Sequence, residues 1–227
     1  MAQRVGVSKS SQLGGWCLHS FAALFSEEKL EEIGEKMGEK MNLLLFSGSL
    51  RKGSLNKKLL RVAEKILLNL PDCKTTVADL KELNFPVYDA DIEVSGFPRS
   101  VEQLGQMIRD CDGLVIASPE YNASMAGSFK NAIDWVSRLR PMPLAEKPVL
   151  LMGASPGPFG SIRAQVAARA TFDTLGCFLH PSSFALSKAD QAFTAEEDLK
   201  EAALKSRLEE TIKSYVQFAQ KLPMRPS

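Results

Sequence analysis

The sequence lacks the long apolar runs, the charge excess and the metal-ligand clusters that identify several large classes of protein. No apolar stretch approaches the roughly 18 to 20 residues of a membrane helix, so we expect no membrane association. Lysine and arginine total 28 against 27 acids, so the basic excess typical of nucleic-acid binding is missing. The 4 cysteines include no CxxC pair and the 2 histidines are isolated, which argues against a disulfide framework or a zinc site. We therefore expect a cytoplasmic protein with free thiols and no metal.

The first forty residues differ from the rest of the chain. Residues 1–26 contain no acid and one short apolar patch at 16–25, whereas 27–40 form a dense run of mixed charge. The acid-poor half is typical of a transit peptide. A start codon assigned too early, ahead of a true start at Met41, is the other interpretation, and both stay open. We treat 1–40 as an N-terminal extension, disordered, transit-like or produced by an early start, and 41–227 as one folded domain.

From Met41 onward, strand-like and helix-like segments alternate. Continuous apolar runs, typical of strands covered on both faces, lie at 42–47, 113–118 and 148–153, with weaker strand candidates at 75–80 and 183–186. Helical periodicity is found at 59–70, 100–109, 129–139, 161–175 and 199–222. This alternation predicts an α/β fold with a parallel sheet between two layers of helices. Ligands bind such sheets beyond the carboxyl ends of the strands, so the loops after Ser47, Ser118 and Gly153 form the candidate site.

The loop after the first strand is rich in groups that bind phosphate. It reads GSLRKGSLN at 48–56 and leads into a helix whose first amides are unpaired and attract anions. Ser49, Arg51, Ser54 and Asn56 add hydroxyls, a cation and an amide. Ser54 stands where a P-loop requires lysine, and there is no GxGxxG, so the loop suits a mononucleotide phosphate. The alternative is a plain turn in which Ser54 or Asn56 caps the helix.

The second and third loops offer groups suited to a flat heteroaromatic ring. In PEYNAS at 119–124, Pro119 fixes the chain as it leaves the strand and Tyr121 offers an aromatic wall, while Glu120 is interpreted as a loop-fixing acid rather than a general acid. Trp135, in the following helix, is interpreted as a core residue. The third loop, GASPGPFG at 153–160, contains glycines that let main chain approach a ligand closely. There Ser155 can donate to a ring atom, and a plain turn is the alternative.

Together the three loops resemble the NADPH-dependent FMN reductase family, which includes bacterial quinone and chromate reductases and some azoreductases. The matching segments are GSLRKGSLN at 48–56, PEYNASMAGSFKNAIDW at 119–135 and SPGPFG at 155–160. The resemblance covers residues 41–222. It implies a flavodoxin-like three-layer sandwich with a five-stranded parallel sheet and noncovalently bound FMN. It also implies a homodimer or homotetramer, in which a neighbouring subunit partly closes the flavin pocket.

The resemblance assigns a part of FMN to each loop. The residues that hold the phosphate or lie beside it are Ser49, Arg51, Ser54, Leu55 and Asn56. The residues along the ribityl chain and the ring are Pro119, Glu120, Tyr121 and Asn122. Ser155 and Gly157 lie at the far edge of the ring.

The expected function is that of an NAD(P)H-dependent oxidoreductase. FMN carries the chemistry, so we expect no catalytic side chain, and a ping-pong cycle in which hydride passes through FMN N5. The acceptors we expect are quinones, free flavin, azo compounds or oxidised metals. A flavodoxin-type electron carrier or a flavin-binding sensor, without NAD(P)H turnover, is the alternative. Such carriers are usually strongly acidic, and the net charge of +1 disfavours that interpretation.

Overall fold

The computed structural model describes residues 40–222. The predicted N-terminal extension therefore lies outside the described residues except for Lys40, and it includes Cys17 and His19. Residues 223–227 are also outside. Everything below concerns the domain predicted to begin at Met41.

A parallel sheet forms the centre of this domain. Its strands are β1 (Met41–Ser47), β2 (Cys73–Ala78), β3 (Gly113–Ala117), β6 (Pro148–Ala154), β7 (Phe178–Leu179) and β8 (Phe184–Leu186). The order is β2-β1-β3-β6-β7, and β8 also pairs with β6. Because β7 pairs with the start of β6 and β8 with its end, the two share one strand position, interrupted where Pro181 lacks an N–H. The five positions follow the flavodoxin order and confirm the predicted sheet.

Two layers of helices enclose the sheet. The helices are α1 (Leu55–Leu68), α2 (Leu80–Leu83), α3 (Ala90–Ser95), α4 (Arg99–Arg109), α5 (Gly127–Val136), α6 (Ile162–Thr174) and α7 (Ala202–Gln220). Alternate residues of a strand point to opposite faces. Leu43 and Leu45 accordingly pack with α1 and α7, while Leu44 and Phe46 pack with α4, α5 and α6. Burial on both faces explains why β1 is a continuous apolar run.

The sequence analysis placed some element boundaries wrongly and missed several short elements. Strand β2 begins at Cys73, two residues before the predicted start. The last helix begins at Ala202 rather than 199, because Leu199 instead forms a bridge with Phe193. The short helices α2 and α3 and the hairpin of β4 (Glu120–Tyr121) and β5 (Ser124–Met125) lie in segments with no apolar period. Aspartate side chains cap α2 and α3. A single capping residue is a weaker sequence signal for a helix than hydrophobic periodicity is.

The buried aromatic and thiol groups have structural roles. Trp135 is fully buried, as predicted, and its indole N–H donates to the Pro86 carbonyl at 2.9 Å, which fixes the segment between α2 and α3. Cys73, Cys111 and Cys177 are all buried, and Cys73 and Cys111 are free thiols. Burial raises the pKa of the Cys111 thiol to about 11, so little thiolate forms near neutral pH. Within residues 40–222, none of the helices combines the length and apolar character needed to span a bilayer.

Candidate flavin site

The three loops identified in the sequence meet at the carboxyl edge of the sheet. We call them the first loop (48–54), the second loop (118–126) and the third loop (155–161). Together they line one cleft, whose walls are Ser49, Arg51, Ser54, Leu55, Asn56, Pro119, Glu120, Tyr121, Ala154, Ser155 and Pro156. Nine of the eleven predicted site residues are in this set. The other two, Asn122 and Gly157, are sequence neighbours of residues in it.

A second concavity lies between α5 and α6. It encloses about 330 Å³, compared with about 70 Å³ in the cleft, and is lined by Ile133, Asp134, Ser137, Ala170, Thr171, Thr174 and Leu175. This groove is larger, but its lining includes a carboxylate and no cation. It also lies along the helices, away from the strand ends where ligands of such sheets bind. We therefore assign the functional site to the cleft.

Serine hydroxyls shape the first loop. Ser47 Oγ accepts from the Ser49 amide at 3.2 Å, and Ser49 Oγ accepts from the Arg51 amide at 3.4 Å. Ser54 caps α1 by accepting from the Lys57 amide at 3.3 Å. Ser49 and Ser54 are buried whereas Arg51 is exposed. Within residues 40–222 no carboxylate pairs with Arg51, so its charge is available beside the N-terminus of α1.

Asn56 has a partner that the sequence did not indicate. Its amide donates to the Ala154 carbonyl at 3.0 Å and accepts from the Ala154 N–H at 2.9 Å. The side chain is buried, and these two bonds engage both of its polar atoms. Asn56 thus joins the start of α1 to the end of β6 while it also lines the cleft.

The second loop folds into a tight hairpin. Glu120 pairs with Met125 and Tyr121 with Ser124. The turn residues Asn122 and Ala123 have φ values of 51° and 60°, the left-handed pair that a type I′ turn requires. Tyr121 is 48% exposed, so it is not a core residue.

Glu120 is held by Arg163. The Arg163 amide donates to Oε2 at 3.0 Å and its Nε donates to Oε1 at 2.6 Å, with Nη2 also paired to Oε1. The Glu120 side chain is only 8% exposed. Burial alone raises the pKa of this carboxyl, but the hydrogen bonds and charge of Arg163 outweigh it and leave the pKa below its usual value. Glu120 is therefore an ionised, loop-fixing acid at neutral pH.

The main chain of the third loop is largely engaged with the protein. The Ser155 amide donates to the Leu186 carbonyl at 3.0 Å, and the Gly157 amide donates to Ser155 Oγ at 3.1 Å. Prolines occupy 156 and 158 and lack an N–H. The Ser155 hydroxyl proton is thus the donor that this part of the loop can turn toward a ligand. A Cβ on Gly157 would meet only Ser155 Oγ, at 3.5 Å, so the main chain there is open to a close approach.

Three further residues at the site were missed by the sequence analysis. Arg163 orients Glu120. Ser128 Oγ donates to the Gly48 carbonyl at 2.9 Å, and Ser161 Oγ donates to the Ser118 carbonyl at 2.6 Å. Hydrophobic periodicity carries no signal for such contacts, because each of these side chains bonds to a loop that is distant in the sequence.

These residues fit FMN as a set. Hydroxyls, a cation and a helix N-terminus line the cleft, which suits a phosphate. The exposed Tyr121 lines the same cleft, which suits a flat ring.

A family model described as NADPH-dependent FMN reductase matches residues 41–191. The chain belongs to this family. An NAD(P)H-dependent FMN reductase of Pseudomonas aeruginosa is 42% identical over 161 residues, which cover 70% of this chain and 85% of the relative. An Arabidopsis thaliana NADPH:quinone oxidoreductase is 35% identical over 182 residues, covering 78% of this chain and 91% of the relative. Membership confirms the prediction of an oxidoreductase that works with FMN and NAD(P)H.

Solved structures agree with the family assignment. The flavoenzyme NAD(P)H:(acceptor) oxidoreductase FerB of Paracoccus denitrificans superposes with a TM-score of 0.70 at 27% identity. The match covers 81% of this chain and all of FerB. This FMN reductase domain therefore has the flavodoxin-like fold that the sequence predicts.

The ion pair of Glu120 leads to a prediction about stability. Arg163→Met should lower the free energy of unfolding at pH 7 by about 1 to 2 kcal/mol, because it leaves a buried carboxylate without its partner. The hydrogen bonds and charge of Arg163 lower the pKa of Glu120, so the pair stabilises the fold at neutral pH and this stabilisation is lost on acidification. The difference between wild type and variant should therefore shrink as the pH falls below about 4.5.

Urea unfolding at pH 7 and pH 4 measures this difference. Lys130→Ala is the matched control, since Lys130 and Asp134 form an exposed pair along one helix and should contribute less than about 0.5 kcal/mol. An equal loss of unfolding free energy in the two variants at pH 7 would contradict the conclusion that the Glu120–Arg163 pair is more stabilising than an exposed ion pair.

Proposed function

We propose that this FMN reductase holds FMN noncovalently in the cleft and transfers electrons from NADPH or NADH to small acceptors. One observation carries the proposal: phosphate-binding groups of the first loop and the exposed Tyr121 of the second loop line the same cleft. Quinones are the first acceptors to test, because relatives from Escherichia coli and Arabidopsis thaliana are named as quinone reductases. Free flavin, azo compounds and oxidised metals are the other expected acceptors.

The first loop would hold the phosphate. Arg51 supplies a positive charge that no carboxylate within residues 40–222 neutralises. The unpaired amides at the start of α1 also attract an anion. Ser49 and Ser54 add hydroxyls, and Leu55 completes the wall. In this proposal Asn56 contributes by fixing the loop against Ala154 rather than by a direct bond to phosphate, since both of its polar atoms are engaged.

The second and third loops would hold the ribityl chain and the ring. The proposal assigns the ribityl chain and the adjoining side of the ring to Pro119, Glu120, Tyr121 and Asn122. It assigns the far edge of the ring to Ser155 and Gly157. Bound FMN supplies N5 as the hydride acceptor and donor of a ping-pong cycle. The Ser155 hydroxyl can donate to the ring edge, where negative charge develops on reduction. Glu120 is committed to Arg163, so proton donation is not part of its role.

The direct test is spectroscopic. Purified protein reconstituted with FMN should show the flavin absorption band, and anaerobic NADPH should bleach it. Addition of a benzoquinone should restore the band without net loss of flavin from the protein. A band that persists through prolonged exposure to both NADPH and NADH would contradict the proposed turnover.

The phosphate assignment is tested at Arg51. Arg51→Ala should raise the Kd for FMN by about 10- to 100-fold, because a charge-assisted hydrogen bond of about 1.5 to 3 kcal/mol is lost. Fluorescence titration of apoprotein with FMN measures the Kd. Riboflavin, which has no phosphate, should bind wild type and variant alike.

Lys52→Ala is the matched control for Arg51→Ala. Lys52 is the neighbouring exposed cation but does not line the cleft, so its loss should change the Kd less than about threefold. Equal effects of the two substitutions would assign the attraction to general charge rather than to Arg51.

Self-association is also part of the proposal. The resemblance to the family implies a homodimer or homotetramer, and α6 offers a surface suited to it. Phe159, Ile162 and Val166 are 56%, 36% and 62% exposed. Ile162, Val166 and Ala170 are spaced four apart, so they share one helix face, which continues into the groove between α5 and α6. A contiguous apolar face of this kind is typical of an interface between subunits.

Val166→Glu should disrupt this association. A charge in the centre of the apolar row opposes its burial, so light scattering coupled to size-exclusion chromatography should give a lower mass at micromolar concentration. Leu68→Glu is the matched control, because Leu68 is also exposed (57%) but lies at the end of α1. A wild type that is monomeric at all concentrations would refute the proposal.

A further inference from the structure

The ends of the three loops are tied to one another by side chains. Asn56 lies in the first turn of α1, directly after the first loop. Its amide bonds both polar atoms of the Ala154 main chain, at 3.0 Å and 2.9 Å. Ala154 is the last residue of β6, directly before the third loop. The end of the first loop is therefore attached to the beginning of the third.

Two serines continue the pattern. Ser161, the last residue of the third loop, donates its hydroxyl to the Ser118 carbonyl at 2.6 Å, and Ser118 begins the second loop. Ser128 follows the second loop in the first turn of α5 and donates to the Gly48 carbonyl at 2.9 Å. Gly48 begins the first loop. The three connections run from first to third, from third to second and from second to first loop, so they form a closed cycle.

We propose that Asn56, Ser128 and Ser161 are positioning residues, and that this closed cycle, the loop brace, holds the cleft in its FMN-binding shape before FMN arrives. The inference rests on the proposed function, since it concerns the same cleft. Each residue acts through the main chain of another loop.

The local backbone supports the brace. Ser161 has a φ of 71°, a left-handed conformation that is unfavourable for a non-glycine residue. It is fully buried. Such a conformation persists where surrounding contacts require it, and here it directs the hydroxyl to Ser118.

Glycines make room for the same contacts. A Cβ at position 153 would lie 2.6 Å from Ser161 Cβ and 2.9 Å from the Ser118 carbonyl oxygen. A Cβ at Gly48 would lie 2.8 Å from Phe129 Cβ, next to Ser128. Both glycines therefore allow the loops to approach each other, whereas a Cβ at Gly157 would meet only Ser155 Oγ, at 3.5 Å.

A preformed cleft binds its ligand more tightly because fewer groups must be ordered on binding. Without the brace, each loop keeps other contacts, such as the Arg163–Glu120 pair and the bond from the Gly48 N–H to the Ala117 carbonyl, but the loops are no longer joined in a closed cycle. The loss of any one connection opens the cycle, so further losses should matter less. Non-additive effects of the substitutions on FMN affinity would therefore distinguish a closed cycle from three supports that act independently.

Fluorescence titration of the apoprotein with FMN tests the brace. Ser128→Ala and Ser161→Gly should each raise the Kd about tenfold, and the double variant should raise it by only about two- to threefold more. Independent supports would instead multiply to about a hundredfold, and that result would overturn the closed cycle. Ser128→Thr retains a hydroxyl and should restore wild-type affinity.

Ser137→Ala, at the C-terminal cap of the same helix, is the matched control. The Ser137 hydroxyl donates to the Asp134 carbonyl at 2.8 Å, but it connects no loops. Its loss should leave the Kd for FMN unchanged. A comparable rise in Kd for Ser137→Ala would show that general weakening of α5, not the brace, controls affinity.

A pair of variants at one position separates positioning from stability. Ser161→Ala keeps the strained backbone and loses the hydroxyl, so its Tm should fall. Ser161→Gly also loses the hydroxyl but relieves the strain, so its Tm should be higher than that of Ser161→Ala. Both should weaken FMN binding equally. If FMN affinity followed the Tm instead, the positioning role would be refuted.

The wild-type titration distinguishes this inference from the proposed function. Wild type that binds FMN, together with brace variants of equal affinity, would overturn the brace and leave the function intact. Wild type that fails to bind FMN would overturn the proposed function and the brace together.

Discussion

The arrangement of the whole site depends on three central strands that end in the same row of a sheet buried on both faces. Ser47 pairs with Ala117, and Ala117 pairs with Met152, so β1, β3 and β6 release their loops within a few residues of each other. Residues 43–46 of β1 have no solvent exposure. A shift of register by one residue would move each of these side chains to the opposite face. Packing of the two helix layers therefore fixes where the three loops begin.

Much of the fold could be predicted because its central strands are apolar on both faces. The runs at 42–47, 113–118 and 148–153 stand out from the amphipathic helices that separate them, and the structure places β1, β3 and β6 there. Edge elements were harder to predict. Strand β2 alternates in burial, with Lys74 exposed between better-buried neighbours, and it packs too few apolar residues to mark its ends. The hairpin at Glu120–Met125 uses Asn122 and Ala123 in left-handed conformations, and alanine at such a position gives no turn signal in the sequence.

The candidate site was predictable to a different degree. Its location follows from a topological rule about strand ends, and its chemical character follows from serine, arginine and tyrosine in those loops. The partners of individual side chains do not follow, because Asn56 and Ala154 are 98 residues apart and Ser161 and Ser118 are 43 apart. Glycines illustrate the same limit. A Gly-rich loop suggests room for a ligand, yet Gly153 and Gly160 make room for the protein itself, and only the three-dimensional arrangement distinguishes them from Gly157.

The acceptors in the loop brace are main-chain carbonyls, at Gly48, Ser118 and Ala154. Every amino acid has such a carbonyl, so these bonds place no demand on the chemical nature of the side chains around the mouth of the cleft. Leu50, for example, is exposed in the first loop and takes no part in the brace, so it can change while the underlying frame is kept. Under the proposed function, descendants of one ancestral chain would exchange one oxidant for another by substitutions at such positions, without rebuilding the part proposed to retain the flavin.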